Sequence, residues 1–122
     1  MRSSAMTDFH IEIAHGSSGA RILRITGPLT LNTLFEFQNE ARKDTSAALL
    51  VDLTAVPYMD SAGLGSILGA FASCQRTGRG FALAGAVARV VTLFKVAQVD
   101  TILPMFATPD AAEHTLSKVA GA

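Results

Sequence analysis

Short apolar runs and stretches of helical periodicity alternate along the chain. Five runs have the character of β-strands: 9–14, 20–25, 47–53, 81–84 and 102–106. Apolar and polar residues alternate in the first run, and a turn leads into the second, which predicts a hairpin. The third and fourth runs are nearly unbroken, as is typical of strands buried on both faces. Pro104 places the fifth run at a sheet edge, because proline cannot donate a ladder hydrogen bond.

Four further stretches have apolar residues at the i, i+3, i+4, i+7 spacing of amphipathic helices: 31–43, 61–75, 86–96 and 109–119. Thr30 or Asn32 is expected to cap the first helix, whose apolar stripe is expected to include Leu31 and Phe35. Thr108, followed by proline and aspartate, marks the start of the last helix.

Two strands followed by alternating helices and strands predict one α/β domain over residues 8–119. Its sheet is expected to be mixed, with four to five strands packed by about four helices. Residues 1–7 are expected to form a disordered leader. Only 16% of the 122 residues are charged, against about 25% in an average domain, and 49% are hydrophobic. A surface so sparsely charged indicates contact with another protein.

Charge and cysteine content narrow the class of partner. Lysine plus arginine equals aspartate plus glutamate at 10 each, and no basic cluster is present, so neither nucleic acid nor an anionic membrane is an expected partner. Cys74 is the one cysteine, which excludes an internal disulfide. The chain begins without a hydrophobic signal core, and Arg89 and Lys95 interrupt its most apolar segment, 81–99. We therefore expect a cytoplasmic protein.

The segment 57–65 joins the buried third strand to the second helix and carries an unusual number of glycines. Asp60 or Ser61 occupies the helix cap position. Gly63 and Gly65, with Gly69 one turn later, lie inside the helix, where each glycine costs about 1 kcal/mol relative to alanine. Such a cost indicates a need for a surface without side chains, set by a close-packed sheet beneath or by a partner above.

Ser61 is the candidate chemical group of this turn. A serine at a helix start is usually a structural cap, yet a hydroxyl beside unpaired backbone N–H groups is also well placed to carry a phosphate. Asp60 has two interpretations as well. It either caps the helix or orients a partner's chemistry beside Ser61.

Enzyme motifs are missing from the sequence. The spacing Gly63-x-Gly65-x-x-x-Gly69 departs from the dinucleotide fingerprint and lies within the helix instead of the preceding turn. Neither a phosphate-binding Gly-Lys-Ser/Thr loop nor a nucleophile elbow is present. The three histidines are scattered without metal-ligand spacing. We expect no catalytic residue, no metal and no cofactor.

The segment Asp60-Ser61-Ala62-Gly63-Leu64-Gly65, which follows Leu50-Val51-Asp52-Leu53 and Tyr58-Met59, resembles the phosphorylation-site segment of STAS domains. The bacterial anti-sigma factor antagonists are the most similar branch. This resemblance implies a non-catalytic module that binds an anti-sigma factor serine kinase and releases the sigma factor. It further implies that the kinase phosphorylates Ser61 and ends the binding, and that a serine phosphatase restores it.

The residues expected to contact the partner surround Ser61: Leu29, Thr30, Pro57, Tyr58, Met59, Asp60, Ala62, Gly63, Leu64 and Gly65. The chain departs from the family pattern at Thr30, where many relatives have an acid, and at Gln98, where many have glycine. A weak homodimer through Leu93 and Val96 is left open.

An alternative from a different functional class is a STAS module that senses or scaffolds. Such a module would work in a stress-signalling assembly or in a lipid or metabolite pathway, and no anti-sigma factor kinase would phosphorylate it.

Overall fold

The structure is a computed structural model that describes residues 9–16 and 19–121, the last four by their backbone; the predicted leader, 1–7, lies outside this part. One five-stranded sheet has its strands in chain order. They are β1 (His10–His15), β2 (Ala20–Thr26), β3 (Ala48–Ala55), β4 (Gly80–Ala84) and β5 (Met105–Phe106). The β1–β2 hairpin is antiparallel and the other pairs are parallel. The sheet is therefore mixed, as predicted.

Four helices connect or follow the strands in the described residues: α1 (Leu34–Lys43), α2 (Ser61–Arg76), α3 (Ala88–Val96) and α4 (Pro109–Gly121). The predicted α/β architecture is thus confirmed. No helix in this part of the chain is long and apolar enough to cross a membrane. The predicted edge strand is confirmed in position but is shorter than predicted, because the residues before Met105 form turns.

The sheet buries an apolar cluster on each face. Apolar residues of α1, α2 and α3, among them Phe37, Ile67 and Phe94, pack against one face in the larger cluster. The smaller cluster lies under α4 and includes Ala112 and Leu116. Alternate residues of β3 enter the two clusters, as expected of a strand buried on both sides.

The start of α1 differs from the prediction. The cap residue is Thr33, without a side-chain cap bond to the helix, and neither Thr30 nor Asn32 holds that position. The Thr33 hydroxyl instead donates to the Pro28 carbonyl (2.7 Å) and accepts from the Thr30 N–H (2.9 Å). These bonds fold residues 28–33 into a compact loop and delay the helix by one turn.

Two of the apolar residues assigned to the stripe of this helix are also exposed. Leu31 and Phe35 have 60% and 61% of their surface accessible, whereas Leu34 and Phe37 are buried. The helical spacing of apolar residues identified the helix but not the side on which it packs.

At the end of α3, Gln98 has a φ of 60°, in the left-handed region that favours glycine. The next N–H, of Val99, bonds to the Phe94 carbonyl, which is the six-to-one bond that closes many helices. The departure at Gln98 therefore falls on a backbone conformation that glycine adopts without strain.

Candidate functional site

The loops that follow β2 and β3 meet at the carboxyl ends of these two strands, where α2 begins. Leu29 and Met59 form an isolated parallel bridge between these loops. The Leu29 N–H donates to the Tyr58 carbonyl (3.2 Å), and the Asp60 N–H donates to the Leu29 carbonyl (3.4 Å). Ligands of open α/β sheets bind at this carboxyl edge of the strands. The first residue of α2, Ser61, is thereby held beside the 28–33 loop.

Gly63 makes this close approach possible. A Cβ atom at this position would lie 2.0 Å from the Leu29 carbonyl oxygen, far inside van der Waals contact. Cβ atoms at Gly65 and Gly69 would meet no atom of the described residues within 4 Å. The sequence indicated two reasons for these glycines, close packing on the sheet or contact with a partner. Close packing explains Gly63 alone, and the group packed against it is the neighbouring loop at Leu29 and not the sheet.

Asp60 is the cap of α2. One carboxylate oxygen accepts from the Gly63 N–H (2.8 Å) and the other from the Leu31 N–H (3.1 Å). The side chain therefore satisfies an unpaired N–H of the helix and also fastens the 28–33 loop to it. The hydrogen bond from Gly63, supported by that from Leu31, holds the pKa of the Asp60 carboxyl below its ordinary value.

Removing this carboxylate should weaken the fold moderately and change its acid sensitivity. We expect Asp60→Ala to lower the free energy of unfolding by about 1 kcal/mol at neutral pH, as other cap deletions do. The folded-state pKa lies below the unfolded one, so the contribution is present above the unfolded pKa and is lost as pH falls through the folded pKa. Urea unfolding of both proteins across the acid range tests this. The difference between them should shrink as pH falls, and a constant difference would contradict the account.

Ser61 is exposed at the first position of α2. Its hydroxyl has no hydrogen-bond partner among the residues described, since Asp60 already caps the helix. Backbone N–H groups of the first turn and the helix dipole favour negative charge at this end. The Ser61 hydroxyl is thus accessible to solvent. Because Asp60 caps the helix, the hydroxyl of Ser61 is not occupied as the cap.

The residues expected to contact a partner all gather around Ser61, but they divide into two groups. Four of them are buried in the interior: Leu29, Met59, Gly63 and Leu64. They cannot present side chains to a partner, so we remove them from the contact surface. The other six are exposed or half-buried: Thr30, Pro57, Tyr58, Asp60, Ala62 and Gly65.

Sequence patterns missed three residues beside this group. Leu31 and Phe35, assigned to the buried stripe, are exposed on the loop and helix joined to Asp60. Arg89 of α3 lies over the Tyr58 ring at 4.9 Å from its centroid, a cation–π contact. The helical spacing of Leu31 and Phe35 gave no indication of exposure, and Arg89 is far from Tyr58 in the sequence. We call Leu31, Phe35 and Arg89, together with the six residues above, the site surface.

No group of three or more histidine, cysteine, aspartate or glutamate side chains is placed to hold a metal ion in residues 9–16 and 19–121. The arrangement consists of an exposed hydroxyl, a helix start and an apolar surround. No described contact directs a second nucleophile or base at Ser61.

Comparisons with solved structures show the same fold. An anti-sigma factor antagonist from Mycobacterium paratuberculosis is 18% identical, with a TM-score of 0.81 over 88% of this chain and 93% of that one. A sulfate transporter family protein from Wolinella succinogenes is 18% identical, with a TM-score of 0.77 over 88% and 92% of the two chains. The anti-sigma factor antagonist SpoIIAA from Bacillus is similar in two forms. Its unphosphorylated form is 16% identical, with a TM-score of 0.73 over 93% and 98%; its phosphorylated form is 14% identical, with a TM-score of 0.69 over 88% and 99%.

No curated protein sequence matches the chain. The STAS domain family model matches residues 13–112, which span the sheet from β1 to β5 and the start of α4. This match covers most of the 122 residues and includes the whole segment around Ser61. The chain therefore belongs to the STAS domain family.

Proposed function

We propose that this protein is an anti-sigma factor antagonist that regulates sigma-factor-dependent transcription in the cytoplasm. In its unphosphorylated state it binds an anti-sigma factor serine kinase, and phosphorylation of Ser61 by that kinase ends the binding. The observation that carries the proposal is the exposed, uncommitted hydroxyl of Ser61 at the start of α2, with apolar side chains around it. The similar fold of SpoIIAA, which is known in unphosphorylated and phosphorylated forms, supports it.

The chemistry of the transfer lies on the kinase. The Ser61 oxygen attacks the γ-phosphorus of ATP, the bond to the β-phosphate oxygen breaks, and ADP leaves. The kinase supplies the magnesium ion and the group that takes the hydroxyl proton. This chain contributes position: Asp60 and Gly63 hold the first turn of α2 against the Leu29 loop, so the hydroxyl is presented on a rigid element. A serine phosphatase hydrolyses the phosphoester and restores the docking state.

A phosphate at Ser61 would act on docking and not on folding. The N-terminus of α2 tolerates the added charge, because its N–H groups and dipole favour anions. The site surface does not tolerate this charge when a partner docks on it. A charge of nearly −2 beside the Asp60 carboxylate, which is bonded to the loop that carries the exposed Leu31, would lose its hydration when a partner covers this surface.

The transfer itself is directly testable. The protein is incubated with ATP, magnesium and the anti-sigma factor kinase encoded nearest to its gene, and the phosphorylated residue is located by tandem mass spectrometry. We expect one phosphate on Ser61 and none on Ser61→Ala. Ser66→Ala is the matched control, because the Ser66 hydroxyl is buried and donates to the Gly63 carbonyl, so it should leave the transfer unchanged. Phosphate on another residue, or transfer to Ser61→Ala, would refute the assignment.

A second function is a sensor or scaffold module without phosphorylation. The similarity to a sulfate transporter family protein favours it, because this fold also occurs in a protein of that kind. Under this function no anti-sigma factor kinase would transfer phosphate to Ser61. The experiment above therefore separates the two functions.

A further inference from the structure

A groove with a volume of about 310 Å³ runs between α1 and α2, at a distance along α2 from Ser61. Its floor includes Leu49 of β3 with Ala70 and Cys74 of α2, all buried. Burial raises the pKa of the Cys74 thiol, so the floor is uncharged. The volume is at the lower end of the range of small-molecule sites in proteins.

The groove is open because the facing helices carry small residues along it. Ala41 of α1 and Gly69 of α2 both line the space, and a Cβ atom on Gly69 would have no neighbour within 4 Å in the part of the chain that the structure describes. Packing does not require this glycine, although glycine is less favourable than alanine inside a helix. The missing side chain enlarges the groove.

The charge around the groove is positive. Arg42, Arg76 and Arg79 line it together with uncharged residues, and no acidic residue of the described part of the chain does. Arg79 is neutralised by an ion pair with the buried Asp44 and also donates to the Ser46 carbonyl (2.6 Å). Arg42 and Arg76 have no ion-pair partner in the described part of the chain.

Glu40, two residues before Arg42 in the sequence, is paired with other residues. Glu40 pairs with Arg21 (2.8 Å) and Lys43 (3.2 Å), so its charge is already balanced. Arg42 and Arg76 both stand in the last turn of a helix, where the dipole favours a cation. That preference explains their positions but not the groove with an uncharged floor that they both line.

We propose that this groove binds a small organic anion, with the anionic head between Arg42 and Arg76 and a short apolar body over the floor. Carboxylates and phosphate monoesters share this chemistry, because guanidinium groups bind both. The groove shares no lining residue with the site surface around Ser61, so this proposal does not rest on the proposed function.

The test is a titration of the ¹⁵N-labelled full chain followed by NMR. Hexyl phosphate and hexanoate are the two anionic probes, and hexylammonium carries the same apolar body with the opposite charge. We expect at least one anionic probe to shift amides of α1 and α2 along the groove saturably, with a dissociation constant on the order of 1 mM or below, and hexylammonium to cause no such shift. The stronger anionic probe identifies the preferred head group.

Matched variants locate the binding. Gly69→Leu should fill the groove and weaken the anion about tenfold or more, whereas Gly65→Leu, at the other open glycine of α2, should leave the affinity unchanged. Arg42→Gln with Arg76→Gln should weaken it about fivefold or more. Three results would each overturn the proposal. Hexylammonium could bind as tightly as the anions, or the two leucine variants could weaken the anion equally. The third is the lack of a saturable shift at probe concentrations of about ten times the expected dissociation constant.

Discussion

Replacing Gly63 with alanine is expected to lower the free energy of unfolding by about 2 kcal/mol. The added Cβ atom would lie 2.0 Å from the Leu29 carbonyl oxygen, a backbone atom that cannot rotate away. Overpacking of this kind costs about 3 kcal/mol, and the better helix propensity of alanine returns about 1 kcal/mol. Urea denaturation of the variant and the parent protein measures the difference.

Gly65→Ala is the matched control on the same helix. A Cβ atom there meets no described residue within 4 Å, so only the gain in helix propensity remains. We expect this variant to be more stable than the parent by up to about 1 kcal/mol. If both variants lost stability to the same extent, helix flexibility and not the contact with Leu29 would be the reason for Gly63.

A fixed charge at Ser61 is expected to have the second large effect, on docking. We expect Ser61→Asp to weaken binding of the cognate anti-sigma factor kinase about a hundredfold, since a charge buried at an interface costs about 2–3 kcal/mol. The free energy of unfolding should hardly change, because an acid in the first turn of a helix is favoured by the dipole. Isothermal titration calorimetry measures the affinity and urea denaturation the stability.

Ser61→Ala separates charge from the loss of the hydroxyl. This variant should bind the kinase nearly as well as the parent protein, because Ser61 makes no described hydrogen bond that alanine would remove. If Ser61→Ala and Ser61→Asp weakened binding equally, the hydroxyl itself would be a contact and charge would not be the switch.

Local patterns predicted the elements of the fold because the spacing of apolar residues within a segment reflects which of its residues are buried. The apolar run before Pro57 and the helical spacing after Ser61 are properties of neighbouring residues, and β3 and α2 form where they predict. The cap of α2 was limited to Asp60 or Ser61 by residue preference. The structure assigns it to Asp60.

These patterns do not predict contacts between segments that are far apart in the sequence. The glycines of α2 were recognised as costly, but only the approach of Leu29, more than 30 residues earlier, explains Gly63 and leaves Gly65 in open space. Leu31 is exposed in the loop that the Thr33 bonds form from residues 28–33, and Phe35 is exposed in the first turn of α1. Apolar spacing carries no information on such tertiary bonds.

The most direct measurement is the affinity of the cognate anti-sigma factor kinase for this protein with and without a phosphate on Ser61. Both forms are prepared from one batch, and calorimetry with a non-hydrolysable ATP analogue prevents transfer during the titration. We expect the unphosphorylated form to bind at least about a hundredfold more tightly, a difference of about 2.7 kcal/mol. Equal affinities of the two forms would contradict it.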